Sequence, residues 1–253
     1  MPTYSYAYLI CSLFWLGVWG VLFILLKNQR REMGWTSLWL APSAPIGEFW
    51  SLQDYWNPAY VFEFRWGEWR FGGVEDYILG FALAGICAGL FEFFLARRGA
   101  VRVPPMRWRS FWRLARWLVL GLLLFIAGAA MGLRSIHTLF LAVLLTSVIM
   151  LWRRPALWGP IVLLSLAFAF VYWLFYVLFL IPRFPGSIEA VWKLENTWGI
   201  RWGGVPIEEL VWAGLTMLFA GPYLWASLAP PEIRHNNQAE GIRNCKAAGL
   251  LGK

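Results

Sequence analysis

Charge is scarce in this chain: Asp, Glu, Lys and Arg make up 14% of its 253 residues, where soluble domains carry about a quarter. With 60% of residues hydrophobic and so few charges to cover them, an ordinary water-soluble fold is excluded. Cysteine is equally sparse. Cys11 and Cys87 fall inside apolar runs and Cys245 lies near the end, with no Cys-x-x-Cys, so neither a disulfide framework nor a zinc site is expected. His137 and His235 stand alone, without Cys or carboxylate at ligand spacing, and no metal is expected. No Gly-x-Gly-x-x-Gly follows a strand, which argues against a bound flavin or nicotinamide, and no cofactor is expected. The Asp-rich metal motifs of a membrane prenyltransferase are missing too.

What the chain has instead is long apolar runs, each near the 20 residues that a hydrocarbon layer of about 30 Å demands. They extend over Tyr4 to Leu26, Tyr77 to Ala96, Trp117 to Leu133, Ile136 to Trp152, Trp158 to Ile181 and Val205 to Leu228. A seventh, Trp35 to Trp50, is aromatic and interrupted by Pro42 and Pro45. The first run has no basic segment before it and no clear cleavage site, so it is expected to stay as a span. The net charge of +8 comes from arginines that flank these runs and form no recognition motif; the expected counter-charge is anionic lipid, not nucleic acid.

Arg97, Arg98, Arg102, Arg107, Arg109, Arg113 and Arg116 crowd one loop, which the positive-inside rule places in the cytoplasm. Alternation then puts Arg153 and Arg154 inside, the Pro182 to Gly204 loop outside and the C-terminus inside, with Arg134 as a weak exception. Parity also favours a crossing at Trp35 to Trp50. The fold predicted is all-α: a polytopic helical protein of the cytoplasmic membrane with about seven spans, arranged as two three-span repeats plus a connector helix. The units are 1–96 (first repeat), 97–134 (basic loop and connector), 135–229 (second repeat) and 230–253 (polar cytoplasmic tail).

The repeat is visible where Arg70-Phe-Gly-Gly-Val-Glu-Asp matches Arg201-Trp-Gly-Gly-Val-Pro-Ile-Glu-Glu, each preceding the last helix of its half and each fed by a Trp-rich loop. Glu75 with Asp76, and Glu208 with Glu209, therefore open membrane helices. Acidic residues suit the positive end of a helix dipole, and an interfacial helix start explains either pair alone. Their duplication points further, because ionisable groups at membrane depth cost roughly 2.5–3.5 kcal/mol and tend to serve a function. A carboxyl withdrawn from water favours its neutral form, so such a pair can supply and remove a proton. Most of the 19 Trp suit an interfacial belt, but indole faces also stabilise cations by about 0.5–2 kcal/mol each.

These residues resemble the membrane-integral lycopene cyclase domain family, found as heterodimeric bacterial enzymes and as fused tandem forms. Trp198-Gly-Ile-Arg-Trp-Gly-Gly-Val-Pro-Ile-Glu-Glu-Leu reproduces its Trp-loop, Gly-rich turn and Pro-x-Glu-Glu. The first half is similar through Trp56-Asn-Pro-Ala-Tyr and Phe71-Gly-Gly-Val-Glu-Asp-Tyr, but lacks the proline and has Asp76 for the second Glu. The resemblance implies cofactor-independent isomerisation: an acid protonates the end of a linear polyene, the carbocation closes a ring, and a base removes a proton. It implies Glu208 and Glu209 as acid and base, Glu75 and Asp76 at a second or supporting site, and Trp198, Trp202, Asn196, Trp66 and Phe71 as substrate contacts. Expected partners are membrane lipid and the apolar polyene, with room for a homo- or hetero-oligomer with another membrane subunit. The rival readings are a non-catalytic membrane protein that binds an isoprenoid or pigment, and a transporter. An intramembrane CAAX-type protease also uses a Glu-Glu pair, but Ala213 stands where its Arg belongs.

Overall fold

The computed structural model describes residues 4, 6–96, 108–152 and 154–228; the predicted tail and the first four arginines of the basic loop lie outside them. The chain runs α1 (Ala7–Leu25), α2 (Arg30–Leu40), α3 (Ser43–Asp54), β1 (Glu63–Trp66), β2 (Trp69–Gly73), α4 (Val74–Ala96), α5 (Trp108–Ala130), α6 (Ser135–Leu151) and α7 (Trp158–Phe175). A π-helical stretch, Tyr176–Leu180, then leads to α8 (Ile181–Arg183), α9 (Ser187–Val191), β3 (Arg201–Trp202), β4 (Val205–Pro206), α10 (Ile207–Ala220) and α11 (Tyr223–Leu228).

The protein is an all-α, multi-pass membrane protein. Five helical segments among the described residues are long and apolar enough to cross a membrane: Ala7–Leu25, Val74–Phe94, Phe111–Ala130, Pro155–Arg183 and Ile207–Leu228. α6 is apolar but shorter, at 17 residues. Their outward faces are apolar as well; Ile24, Leu25, Leu163 and Leu166 are each more than 60% exposed, as lipid-facing side chains must be.

The predicted segment Trp35 to Trp50 is helical but broken. Pro42 has no N–H and its ring displaces the carbonyl four residues back, so α2 stops at Leu40 and α3 starts at Ser43, with Pro45 in its tolerant first turn. At 11 and 12 residues, each piece is about 17 Å long, too short to cross alone.

α4 forms the centre of the first half, packed on α1 and α2 through Gly85-Ile-Cys-Ala-Gly89. A Cβ on Gly89 would lie 2.7 Å from Met33 Cγ, and one on Gly85 would strike Ser37 Oγ and Trp19 Nε1. Small residues at this spacing let membrane helices approach closely. The approach is used: Ser37 donates to Phe81 O at 2.7 Å and accepts from Trp19 Nε1 at 3.1 Å, tying three helices together. In the second half α10 packs on α7 and α6, and it also reaches α4.

The halves are clasped through the end of α3. Asp54 accepts hydrogen bonds from Ser135 N, at 2.8 Å, and from Ser135 Oγ, so a residue of the first half caps α6. Lys193 Nζ donates to Leu52 O (3.1 Å) and Gln53 O (2.6 Å), a cation at a helix C-terminus. Trp56 and Trp192 form an antiparallel bridge, with Asn57 N donating to Val191 O (2.7 Å) and Lys193 N to Tyr55 O (2.8 Å).

Each acidic pair is preceded by a β-hairpin, β1–β2 and β3–β4. The matched Gly-Gly pairs nevertheless occupy different places. Gly203 and Gly204, both with positive φ, make the two-residue turn between Trp202 and Val205. In the first half that turn falls at Gly67-Glu68, and Gly72-Gly73 ends β2. The lettering shared around Gly-Gly-Val is thus not a structural superposition. What the halves share is a hairpin entering a helix that begins with two acids.

Candidate functional site

The second acid of each pair faces a common cavity and the first does not. Asp76 and Glu209 line a cavity of about 470 Å³, as does Glu48 of α3; Glu75 and Glu208 are buried beside it.

Glu75 and Glu208 hold backbone. Glu75 Oε1 accepts Val61 N at 2.6 Å and Phe62 N at 3.1 Å, while Glu208 Oε1 accepts the amide of Trp198. In both, the carboxyl fixes the loop that leads toward its own hairpin.

Glu209 receives three donors on its two oxygens: Tyr55 Oη at 2.7 Å and Trp192 Nε1 at 2.9 Å on Oε1, and Tyr176 Oη at 2.8 Å on Oε2. Tyr176 belongs to the π-helical stretch, whose extra residue per turn re-aims side chains and often marks a functional position. Asp76 accepts Tyr8 Oη on Oδ1 and Gly73 N, at 2.7 Å, on Oδ2. Glu48 Oε2 accepts Trp56 Nε1 at 2.5 Å. The Trp56 and Trp192 rings lie 5.6 Å apart, so the bridge that clasps the halves also carries donors to two of the three carboxyls.

The rest of the wall is aromatic and aliphatic. Trp15 stacks on Tyr172 at 5.5 Å, Tyr172 meets Trp212 at 5.6 Å, and Tyr8 meets Trp56 edge-on at 5.0 Å. No Lys, Arg or His is among the described residues that line the cavity. Ile46 and Leu122, which do line it, are themselves 55% and 44% exposed, so the cavity reaches the lipid-facing surface beside α3 and α5.

The five predicted substrate contacts lie elsewhere. Trp198 stacks on His137 at 5.4 Å, Trp202 on Trp173 at 4.6 Å and Phe71 on Phe49 at 5.2 Å, while Trp66 is 81% exposed. Asn196 Nδ2 donates to Asp54 O at 2.6 Å, another link in the clasp. None of the five is among the cavity-lining residues. Sequence reasoning missed Glu48, Tyr8, Tyr55 and Tyr176. Their only signal is a polar group inside an apolar, aromatic stretch.

On the first hairpin Glu63 pairs with Arg70 and Arg65. Burial raises its carboxyl pKa, but the two guanidiniums outweigh this and hold it below the ordinary carboxylate range.

Residues 134–227 match the family model described as lycopene cyclase. No curated protein and no solved structure matches the chain. The match contains Glu208 and Glu209, whereas Glu48 and Asp76 lie outside it.

Proposed function

From the match of residues 134–227 to the family model described as lycopene cyclase, we propose an enzyme that cyclises the end groups of a linear polyene by acid-base chemistry in the membrane. The observation that carries this reading is the cavity itself: three carboxyls and no basic side chain among its described lining residues, inside a wall of Trp and Tyr that reaches the lipid-facing surface.

A proton added to one carbon of the terminal double bond leaves a cation on the other. The π electrons of a second double bond attack that cation, forming the ring bond and moving the charge. Loss of a proton from a neighbouring carbon restores a double bond, so the product is an isomer and no oxidant or reductant is consumed. The intermediate is a cation without a counter-ion of its own, which indole and phenol faces and the Glu209 carboxylate stabilise. Three converging donors suit Glu209 in its charged, acceptor-only form. Glu75 and Glu208 position the loops, and the first half is a second, diverged copy of the domain that completes one shared site. The basic loop and the C-terminus lie in the cytoplasm.

Expression in cells that accumulate lycopene, followed by pigment analysis, tests the reading. Ring-bearing carotenoids are expected. Unchanged lycopene beside folded, membrane-inserted protein, with pigment co-purifying intact and insensitive to the carboxyls, would favour a binding protein instead.

A further inference from the structure

Of the three cavity carboxyls, two have both oxygens engaged. Asp76 accepts one donor on each oxygen, and Glu209 accepts three in total. Glu48 differs: Trp56 occupies Oε2, while Oε1 accepts no hydrogen bond among the described residues and is not sealed off. A carboxylate oxygen with one donor keeps a second lone pair, so Asp76 can still take up a proton, whereas Glu48 alone of the three has an oxygen that no donor occupies among the described residues and that is free to present a proton to the substrate.

Glu48 also has a neighbouring acid. Gly72, at φ +80°, lies between it and Asp76: a Cβ there would stand 3.0 Å from Glu48 Cβ and would collide with Asp76 Oδ2. Any other residue at this position would push the two acids apart, and the left-handed backbone favours glycine on its own account.

We propose that Glu48 is the catalytic proton donor of the cavity and Asp76 the group that takes the proton back. The assignment rests on the cyclase reading above. The Glu48 O–H bond breaks as a C–H bond forms on the terminal double bond. Ring closure moves the cation, facing Glu209, to a carbon whose neighbour gives up a proton to the Asp76 carboxylate. Return of a proton from Asp76 to Glu48 past Gly72, after exchange with solvent between turnovers, resets the site, with no net change in charge or redox state.

Glu48→Gln keeps shape and the Trp56 acceptor but cannot donate an acidic proton. Purified E48Q is expected to retain lycopene and its melting temperature while ring formation falls at least about 100-fold, the lower end for a lost general acid. Rings at near the wild-type rate in E48Q, with wild type also active, overturn the assignment alone; a wild type that makes no rings removes the cyclase reading and the assignment together. Should E48Q not fold, wild-type protein carries the test. Dicyclohexylcarbodiimide, which attacks protonated carboxyls in apolar surroundings, is expected to modify Glu48, to inactivate in parallel and to be blocked by lycopene. Inactivation with Glu48 unmodified contradicts the proposal.

Discussion

Trp56 and Trp192 pair as an antiparallel bridge, and each sends its indole N–H to a different carboxyl of one cavity, Glu48 at 2.5 Å and Glu209 at 2.9 Å. The contact that joins the halves is therefore also the contact that aims their acids. A site built this way belongs to neither half alone.

Glu208 and Glu209 should separate on mutation although they are neighbours. Glu208→Gln keeps a carbonyl oxygen for the Trp198 amide, so ring formation should stay within about tenfold of wild type, a loss below about 1.4 kcal/mol. Glu209→Gln turns an amide N–H₂ toward groups that can only donate or prefer to, leaving a buried donor unpaired at about 1–3 kcal/mol and removing the charge that faces the cation. Rates of ring formation for both variants, measured on the same lycopene-loaded membranes, check the order.

Asp54→Ala removes the cap that the first half places on α6. A loss of about 1 kcal/mol is expected, read as a lower melting temperature in detergent, with the cavity carboxyls untouched.

Gly85→Leu should be far worse than its position in an apolar helix implies. The new side chain lands on Ser37 and Trp19, and overpacking costs about 1–3 kcal/mol before the α1–α2–α4 hydrogen bonds are counted. Reduced membrane-inserted yield and a lower melting temperature are the readouts.

Glu63 gives a pH dependence of known sign. Its folded pKa is held below the unfolded value of about 4.3, so its contribution is fully present above that value and is lost as pH falls through the folded pKa. Glu63→Gln should therefore lower stability by about 1 kcal/mol or less at neutral pH, with the difference from wild type shrinking below about pH 4. Melting temperatures of both proteins across pH 3–7, about the span of that titration, check it.

Much of this was legible in the sequence, for physical reasons. The bilayer forces long apolar runs, so helices such as Ala7–Leu25 and Val74–Phe94 could be read from composition. An acid pair opening such a run is conspicuous because it is costly, which is how Glu75, Asp76, Glu208 and Glu209 became candidates; which acid of each pair faces the cavity needed the structure. Glu48 was not, since it is a single carboxyl in the Pro-broken segment and no spacing sets it apart. Nor could sequence give the partners of Glu209, because Tyr55 is 154 residues away and reaches it only through the clasp at the end of α3. The Gly-Gly match misled for a different reason. Glycine serves a hairpin turn in one half and the close approach of two acids in the other, and the letter is the same.

The most direct test of the central claim is cyclisation by the purified protein in deuterated water with lycopene as substrate. Proton-initiated closure at the cavity carboxyls predicts a product carrying one solvent deuterium per ring and no other change in mass. Rings formed without solvent deuterium, or no rings from folded protein, would contradict it.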